Sequence, residues 1–413
     1  MKCLSFLKEI IIADNFGLSE VLDTFYIAIL FPSLVNNIFS SSFKSVFIPN
    51  YVNEQKNGNN IGAFQSACFL ITSAVTIFIL IIAYLFTDVY LETFFSGHSE
   101  RYYSLVKIQF FYVAPSILFW GGSSLINGLL NIHNEFRLTS ISGFFTPLSI
   151  IVCLIFFKAE LGVLVMAVGT LIGSITSFLF ILIVALKRKI IHLEIPQFYS
   201  ESVKVLYKQL PAKLSSSLLN GINPLVDQYF SAQLFVGAIS ALNYGIKLPT
   251  FFIGIVSIAL GNVLLPFFSK KAIDNLKGSF NLLKRIIKYS LLASITITVL
   301  GILLSTPIVR LVFERNAFQS SDSLIVSEIQ QMYLLQIPSY VMGIVMVKFL
   351  TAINKNNFMV FTSAISLGLN IILNYVLIKT MGVYGLALAT SLVSIVNSII
   401  LYKYIIHLNK HNV

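Results

Sequence analysis

Apolar stretches of similar length recur from one end of the chain to the other, separated by short polar connections. Residues 67–86, 290–309 and 358–378 each approach the ~20 apolar residues that cross a bilayer. Recurrence through the whole length predicts an all-α, polytopic helical membrane protein. A lipid-facing barrel would show ~10-residue segments of alternation instead. The pattern predicts about twelve transmembrane helices, at 1–16, 21–48, 65–87, 104–130, 138–158, 161–186, 207–232, 235–266, 288–313, 329–352, 357–378 and 382–406. The first of these is short and reads as truncated. The longest polar piece, "KRKIIHLEIPQFYSESVKVLYK", reads as a basic, amphipathic linker at mid-chain. No loop is long enough to hold a soluble catalytic domain.

The pattern also repeats. Pro32 and Pro49 match Pro249 and Pro266 at an offset of 217, and Pro115 and Asn131 match Pro338 and Asn354 at 223. Gly162 and Thr170 match Gly382 and Thr390 at 220. Three ordered matches at nearly constant offset divide the chain into an N-lobe (1–190), a linker (191–206) and a C-lobe (207–413). Six helices per lobe is an even number, so both lobes enter the membrane from the same side. The expected pseudo-symmetry axis then runs along the membrane normal, with a central cavity and binding site between the lobes.

Composition agrees: 56% of the 413 residues are hydrophobic and 11% are charged, against about 25% charged in a soluble domain. The net charge of +11 reads as basic loops beside anionic headgroups, not as a nucleic-acid surface. Lys56, Arg137, Lys187, Arg188, Lys270 and Lys355 fall on the side shared by both termini, which predicts cytoplasmic termini. Cys3, Cys68 and Cys153 share no short spacing and read as small core residues. The stretch 88–103 holds Glu92, His98 and Glu100 without metal-site spacing, and no phosphate-binding G-x-x-x-x-G-K-[ST] loop occurs. No metal, cofactor or enzymatic site is expected.

Polar residues inside the spans are the candidate chemistry. Asp23, Asn37, Ser41 and Lys44 share one face of the second helix. Lys213, Ser217, Asn220 and Asp227 recur on the seventh, and Ser240, Asn243 and Lys247 on the eighth. Lys348 sits mid-span in the tenth. A charge at the bilayer centre costs at least ~2.5 kcal/mol, so such groups turn to the bundle interior or to water. Converging cations suit an anionic substrate. Each also has a structural alternative. Lys44 and Lys213 can snorkel to the interface. Asp23 and Asp227 can anchor helix starts, and Asn and Ser can hold helices together. Pro32, Pro49, Pro249 and Pro266 are candidate hinges.

The stretches "FGLSEVLDTFYIAILFPSLVNNIFSSSFKSVFIPNY", "ALNYGIKLP…ALGNVLLPFFSK", "LVFERNAFQSSDS" and "GVYGLALATSLVSIVNSIILY" resemble the MurJ/MviN lipid II flippases of the MOP exporter superfamily. The resemblance covers nearly the whole chain. It implies a two-lobed bundle around a cationic cavity. It also implies alternating access that moves an undecaprenyl-diphosphate-linked saccharide across the cytoplasmic membrane, with membrane lipids and cell-envelope synthesis proteins as partners. By that resemblance Lys8 stands for an arginine of the first helix and is followed by an acid, Glu9. Asp23 stands for the aspartate opening the second helix, and Asp227 for one on the seventh. Lys247 stands for the arginine of an "ADR" motif written here "GIK". Asn36 and Asn37 replace a pair of arginines, and the family's last helix pair has no counterpart in these residues. Lysine keeps the charge of arginine but not its bidentate fork. The implied substrate set is Lys8, Lys213, Lys247, Lys348, Asn37, Asn220 and Asn243, with Glu9, Asp23 and Asp227 in ion coupling or gating. The alternatives are a MATE-like small-molecule/cation antiporter and a transport-inactive envelope scaffold.

Overall fold

The computed structural model describes residues 2–57, 60–355 and 357–410, without the side chains of 40–44, 211–213, 215, 216, 219, 220 and 262. Among the described residues the only pairing of extended backbone is a bridge between Arg315 and Phe318; everything else regular is helix. Among the described residues, ten stretches are long and apolar enough to cross a membrane, and each overlaps one of the twelve expected crossings. The other two, 1–16 and 207–232, are also helical but fall outside that group.

The chain forms two compact units, Met1–Leu225 and Val226–Val413. The first holds α1 (Lys2–Phe16), α2 (Glu20–Lys56), α3 (Ile61–Leu85), α4 (Thr87–Phe94), α5 (Glu100–Val113) and α6 (Ser116–Ile132). It continues with α7 (Phe136–Ser142), α8 (Phe145–Phe156), α9 (Lys158–Leu161), α10 (Val165–Lys187) and α11 (Glu201–Gly221). In it α2 packs on α5, α6 and α11, and α8 on α10. Its core centres on Phe47, Phe64, Leu129 and Leu206, with Phe47 and Phe64 stacked at 5.8 Å.

Apart from its first three residues, α12 (Asn223–Ser231) belongs to the second unit. There it is followed by α13 (Ala238–Gly245), α14 (Lys247–Asp274), α15 (Leu276–Leu303), α16 (Ser305–Phe313) and α17 (Ser320–Leu334). Helices α18 (Ile337–Ala352), α19 (Asn357–Met381) and α20 (Val383–Lys410) complete it. Here α14 and α15 pack on α18, and α19 on α20. Phe349 meets Phe268 and Phe280 edge-on at 5.4 and 4.9 Å.

Local chemistry explains where these helices start. The side chains of Asn60, Ser99, Ser200 and Asn275 each accept a first-turn amide of α3, α5, α11 and α15. Gln319 and Asp322 close a reciprocal capping box on α17.

The internal repeat is visible in the backbone of each unit. Gly17 and Gly237, Asn134 and Asn354, and Gly162 and Gly382 are three left-handed pairs, each 220 positions apart. Glycine and asparagine are the residues that enter that region with least strain. This register corrects one expected match. The structural mate of Asn354 is Asn134, three residues beyond Asn131; the side-chain Oδ1 of Asn131 accepts the Thr139 hydroxyl at 3.1 Å.

The prolines are used unevenly. The expected crossing 104–130 breaks before Pro115, and its repeat breaks before Pro338, giving the α5/α6 and α17/α18 pairs. Pro32 and Pro49 lie inside the unbroken α2, and Pro266 inside α14. Pro249 is not interior. It occupies the first turn of α14, just past a break at Ile246, where its missing amide costs little. One further expectation changes: Cys68 and Cys153 are buried, but Cys3 is exposed.

Candidate functional site

Each unit holds a buried polar cluster built around predicted site residues, and the two differ in composition. In the first, Lys8 and Glu9 lie side by side on α1. The Lys8 ammonium is 2.9 Å from Glu9 Oε1, and the Tyr26 hydroxyl of α2 reaches Glu9 Oε2 at 3.5 Å. Glu9 is buried and Lys8 partly so. The ammonium thus compensates a carboxylate that apolar packing would otherwise strand. Asp23, in the first turn of α2, is also buried, and Tyr102 of α5 lies within its electrostatic reach. Asn37 is exposed, further along α2.

In the second unit the carboxylate of Asp227 on α12 is held by amides and a hydroxyl. Asn374 Nδ2 donates to Asp227 Oδ1 at 2.7 Å and Asn370 Nδ2 at 3.3 Å, both from α19. Thr390 of α20 stands 3.5 Å from Oδ2. Asn374 also donates to Asn370 Oδ1 at 3.3 Å. The i, i+4 spacing puts both asparagines on one face of α19, and Tyr333 of α17 lies close by. Asn370, Asn374 and Thr390 thus bind a carboxylate through neutral donors, with no cation in the set.

The remaining expected residues sit as follows. Lys247 is the first residue of α14 and is half-buried. Asn243 turns its amide back to the Ile239 carbonyl of its own helix at 2.9 Å. Lys348 lies four residues before the end of α18, not at its middle. Its side chain crosses α14 at Gly261, where a Cβ would stand 3.6 Å from Lys348 Cε and 3.9 Å from Nζ. Lys348 makes no ion pair or hydrogen bond among the described residues, unlike Lys8. Lys213 and Asn220 fall on α11, and their side chains lie outside the described residues. No cluster of three or more His, Cys, Asp or Glu occurs among the described residues.

The sequence reading found Asp227 and noted Thr390 only as a repeat marker. It missed Asn370 and Asn374. Their signal was two amides one turn apart in an otherwise apolar helix.

Residues 12–410 match the family model described as lipid II flippase MurJ. A probable lipid II flippase MurJ of Buchnera aphidicola subsp. Schizaphis graminum is 29% identical over 417 residues, covering 97% of this chain and 80% of that one. The lipid II flippase MurJ of Thermosipho africanus is 29% identical over 398 residues, covering 96% and 81%. A solved lipid II flippase MurJ in an inward closed conformation superposes with a TM-score of 0.84 at 27% identity, over 98% of this chain and 85% of that chain. An inward-facing MATE-family multidrug resistance transporter of the MOP superfamily gives 0.74 at 14% identity, over 100% and 95%, a likeness of fold.

Proposed function

Because the chain belongs to the lipid II flippase MurJ family, we propose that it carries lipid II, an undecaprenyl-diphosphate-linked saccharide, across the bacterial cytoplasmic membrane for peptidoglycan synthesis. The family match over residues 12–410 carries the reading. It is supported by ten helices long and apolar enough to span the bilayer. The MATE-like antiporter is less favoured, since that likeness stops at the fold.

In the proposed mechanism Lys8, Lys213, Lys247 and Lys348 bind the diphosphate, and Asn37, Asn220 and Asn243 bind polar groups of the headgroup. Glu9, Asp23 and Asp227 serve coupling or gating. Lobes 1–190 and 207–413, joined by 191–206, alternate access, with Pro32, Pro49, Pro249 and Pro266 as flexible points. Both termini face the cytoplasm, where envelope-synthesis enzymes supply the substrate. Lysine serves a diphosphate as a point charge.

The test is complementation in bacteria depleted of their own lipid II flippase. Wild type restores growth, and Lys247→Ala at equal membrane abundance loses at least tenfold in plating efficiency. Failure of well-expressed wild type would overturn the reading in favour of another glycan or an envelope scaffold.

A further inference from the structure

The candidate clusters leave one buried charge without a role. Glu54, near the end of α2, is 2% exposed, and its Oε2 has no hydrogen-bond partner. A buried carboxylate without a donor or counter-charge is costly, and native folds rarely keep one idle. Glu54 lines a cavity of about 250 Å³ together with Asn60, Phe64, Gln197 and Ser200.

The walls of that cavity are fixed. Asn60 and Ser200 are the capping residues of α3 and α11, each tied to a first-turn amide. The connection after α10 is fastened to α3. Gln65 takes the amide of His192 at 2.8 Å and gives its own N–H to the carbonyl of Ile190 at 3.1 Å. The Glu194 amide donates to Ser66 at 3.0 Å, and Asn60 Nδ2 donates to the Glu194 carboxylate. Glu194 lies so tightly over Gly62 that a Cβ there would stand 2.8 Å from its Cγ. The start of α3 therefore already has its negative complement in Glu194. The cavity's polar lining consists of the Glu54 carboxylate, the Asn60 and Gln197 amides and the Ser200 hydroxyl, with no cationic side chain among them.

That lining calls for a cation with several N–H donors. A primary ammonium has three, and Glu54, Gln197 and Ser200 offer three acceptors. The volume equals about eight waters at ~30 Å³ each, more than a bare metal ion fills.

The connection also shows where such a cation comes from. Ile195 and Tyr199, which flank the cavity-lining Gln197, are 87% and 86% exposed, and Leu193 is exposed as well. Large apolar and aromatic side chains bared beside the first turn of a membrane-crossing helix belong in the bilayer interface. We propose that this cavity binds the primary-ammonium headgroup of a phospholipid of the phosphatidylethanolamine type. The ammonium sits on Glu54, and the acyl chains lie beside the exposed apolar residues of 193–199.

The full chain, purified in detergent, is titrated with phosphatidylethanolamine, phosphatidylcholine or phosphatidylglycerol and read by native mass spectrometry. One phosphatidylethanolamine is retained at least fivefold more than phosphatidylcholine, whose quaternary ammonium has no N–H, and more than phosphatidylglycerol. Glu54→Gln, of the same shape, abolishes the preference, and Gln197→Leu, at an exposed position, lowers it even if Glu54→Gln fails to fold. Equal retention of the three lipids, or a preference untouched by both variants, overturns the proposal. Full displacement by millimolar phosphoethanolamine would make the ligand a soluble amine and overturn the lipid source. Displacement by millimolar magnesium chloride, but not by sodium chloride of the same ionic strength, would make it a metal site.

Discussion

The helix pair α8/α10 of the first unit and the pair α19/α20 of the second occupy the same place in the repeat, 220 residues apart, yet they are filled with opposite chemistry. In the first, Ile150, Leu154 and Thr170 are buried, and the helices meet backbone to backbone across glycines. A Cβ at Gly169 would stand 2.9 Å from Ile150 Cα, and one at Gly173 would stand 2.5 Å from Thr146 Cα. Small residues four apart let helices approach closely where water supplies no driving force. In the second pair the same register reads Asn370, Asn374 and Thr390, and they close on Asp227. A second site repeats the lesson. Gly128 of α6 lies under the Phe47 ring of α2, whereas its register mate, Lys348 of α18, lies over Gly261 of α14. One unit spends these positions on packing, the other on polar groups. A duplicated backbone fixes geometry without fixing chemistry, because the left-handed turns and helix breaks that set the geometry lie elsewhere in the chain.

Moving the first unit's residue into the second gives the largest expected effect. Asn374→Leu, copying Leu154, removes the 2.7 Å donor to Asp227 and leaves that carboxylate underbonded, at a cost of about 3 kcal/mol. Thermal unfolding in detergent should show it, and complementation should fall with it. An unchanged melting temperature would mean that Asp227 does not need its amides. Gly173→Val comes next. Its side chain collides with the Thr146 backbone, which cannot rotate away, so at least ~2 kcal/mol is expected from the same measurement. Gly128→Ala should cost about 1 kcal/mol net, because the fully buried Phe47 ring, 3.3 Å from the new methyl, resists by more than the ~1 kcal/mol of helix propensity gained. Gly261→Ala should be smallest and opposite in sign. The methyl meets Lys348 at an ordinary 3.6 Å, and the helix gains up to ~1 kcal/mol in propensity. If Gly261→Ala destabilised as much as Gly128→Ala, the contrast between the two crossings would be lost.

Much of this architecture is legible in the residues. Apolar runs mark ten of the spans, and prolines 115 and 338 mark where two of them break. The offset of 220 from Gly162 and Gly382 is the structural register. Identity alone misled at Asn131, because what the backbone selects is a residue able to turn left-handed, and Asn134 does so. The polar sites were harder to see. Charges at helical spacing pointed to Asp227 but not to its partners, since amides in an apolar helix look like ordinary helix contacts. Lys8 gave no hint that its neighbour Glu9 would claim it. Glu54 belongs to no motif, and only the cavity beside it makes it notable.

The uneven placement of the three cysteines gives the chain a built-in topology reporter. Cys3 is exposed near the start of α1, while Cys68 and Cys153 are enclosed. A membrane-impermeant maleimide added to intact cells should therefore label wild-type protein only if its first helix begins outside. Labelling that appears only after the membrane is opened would put the amino terminus in the cytoplasm, with no engineered residue.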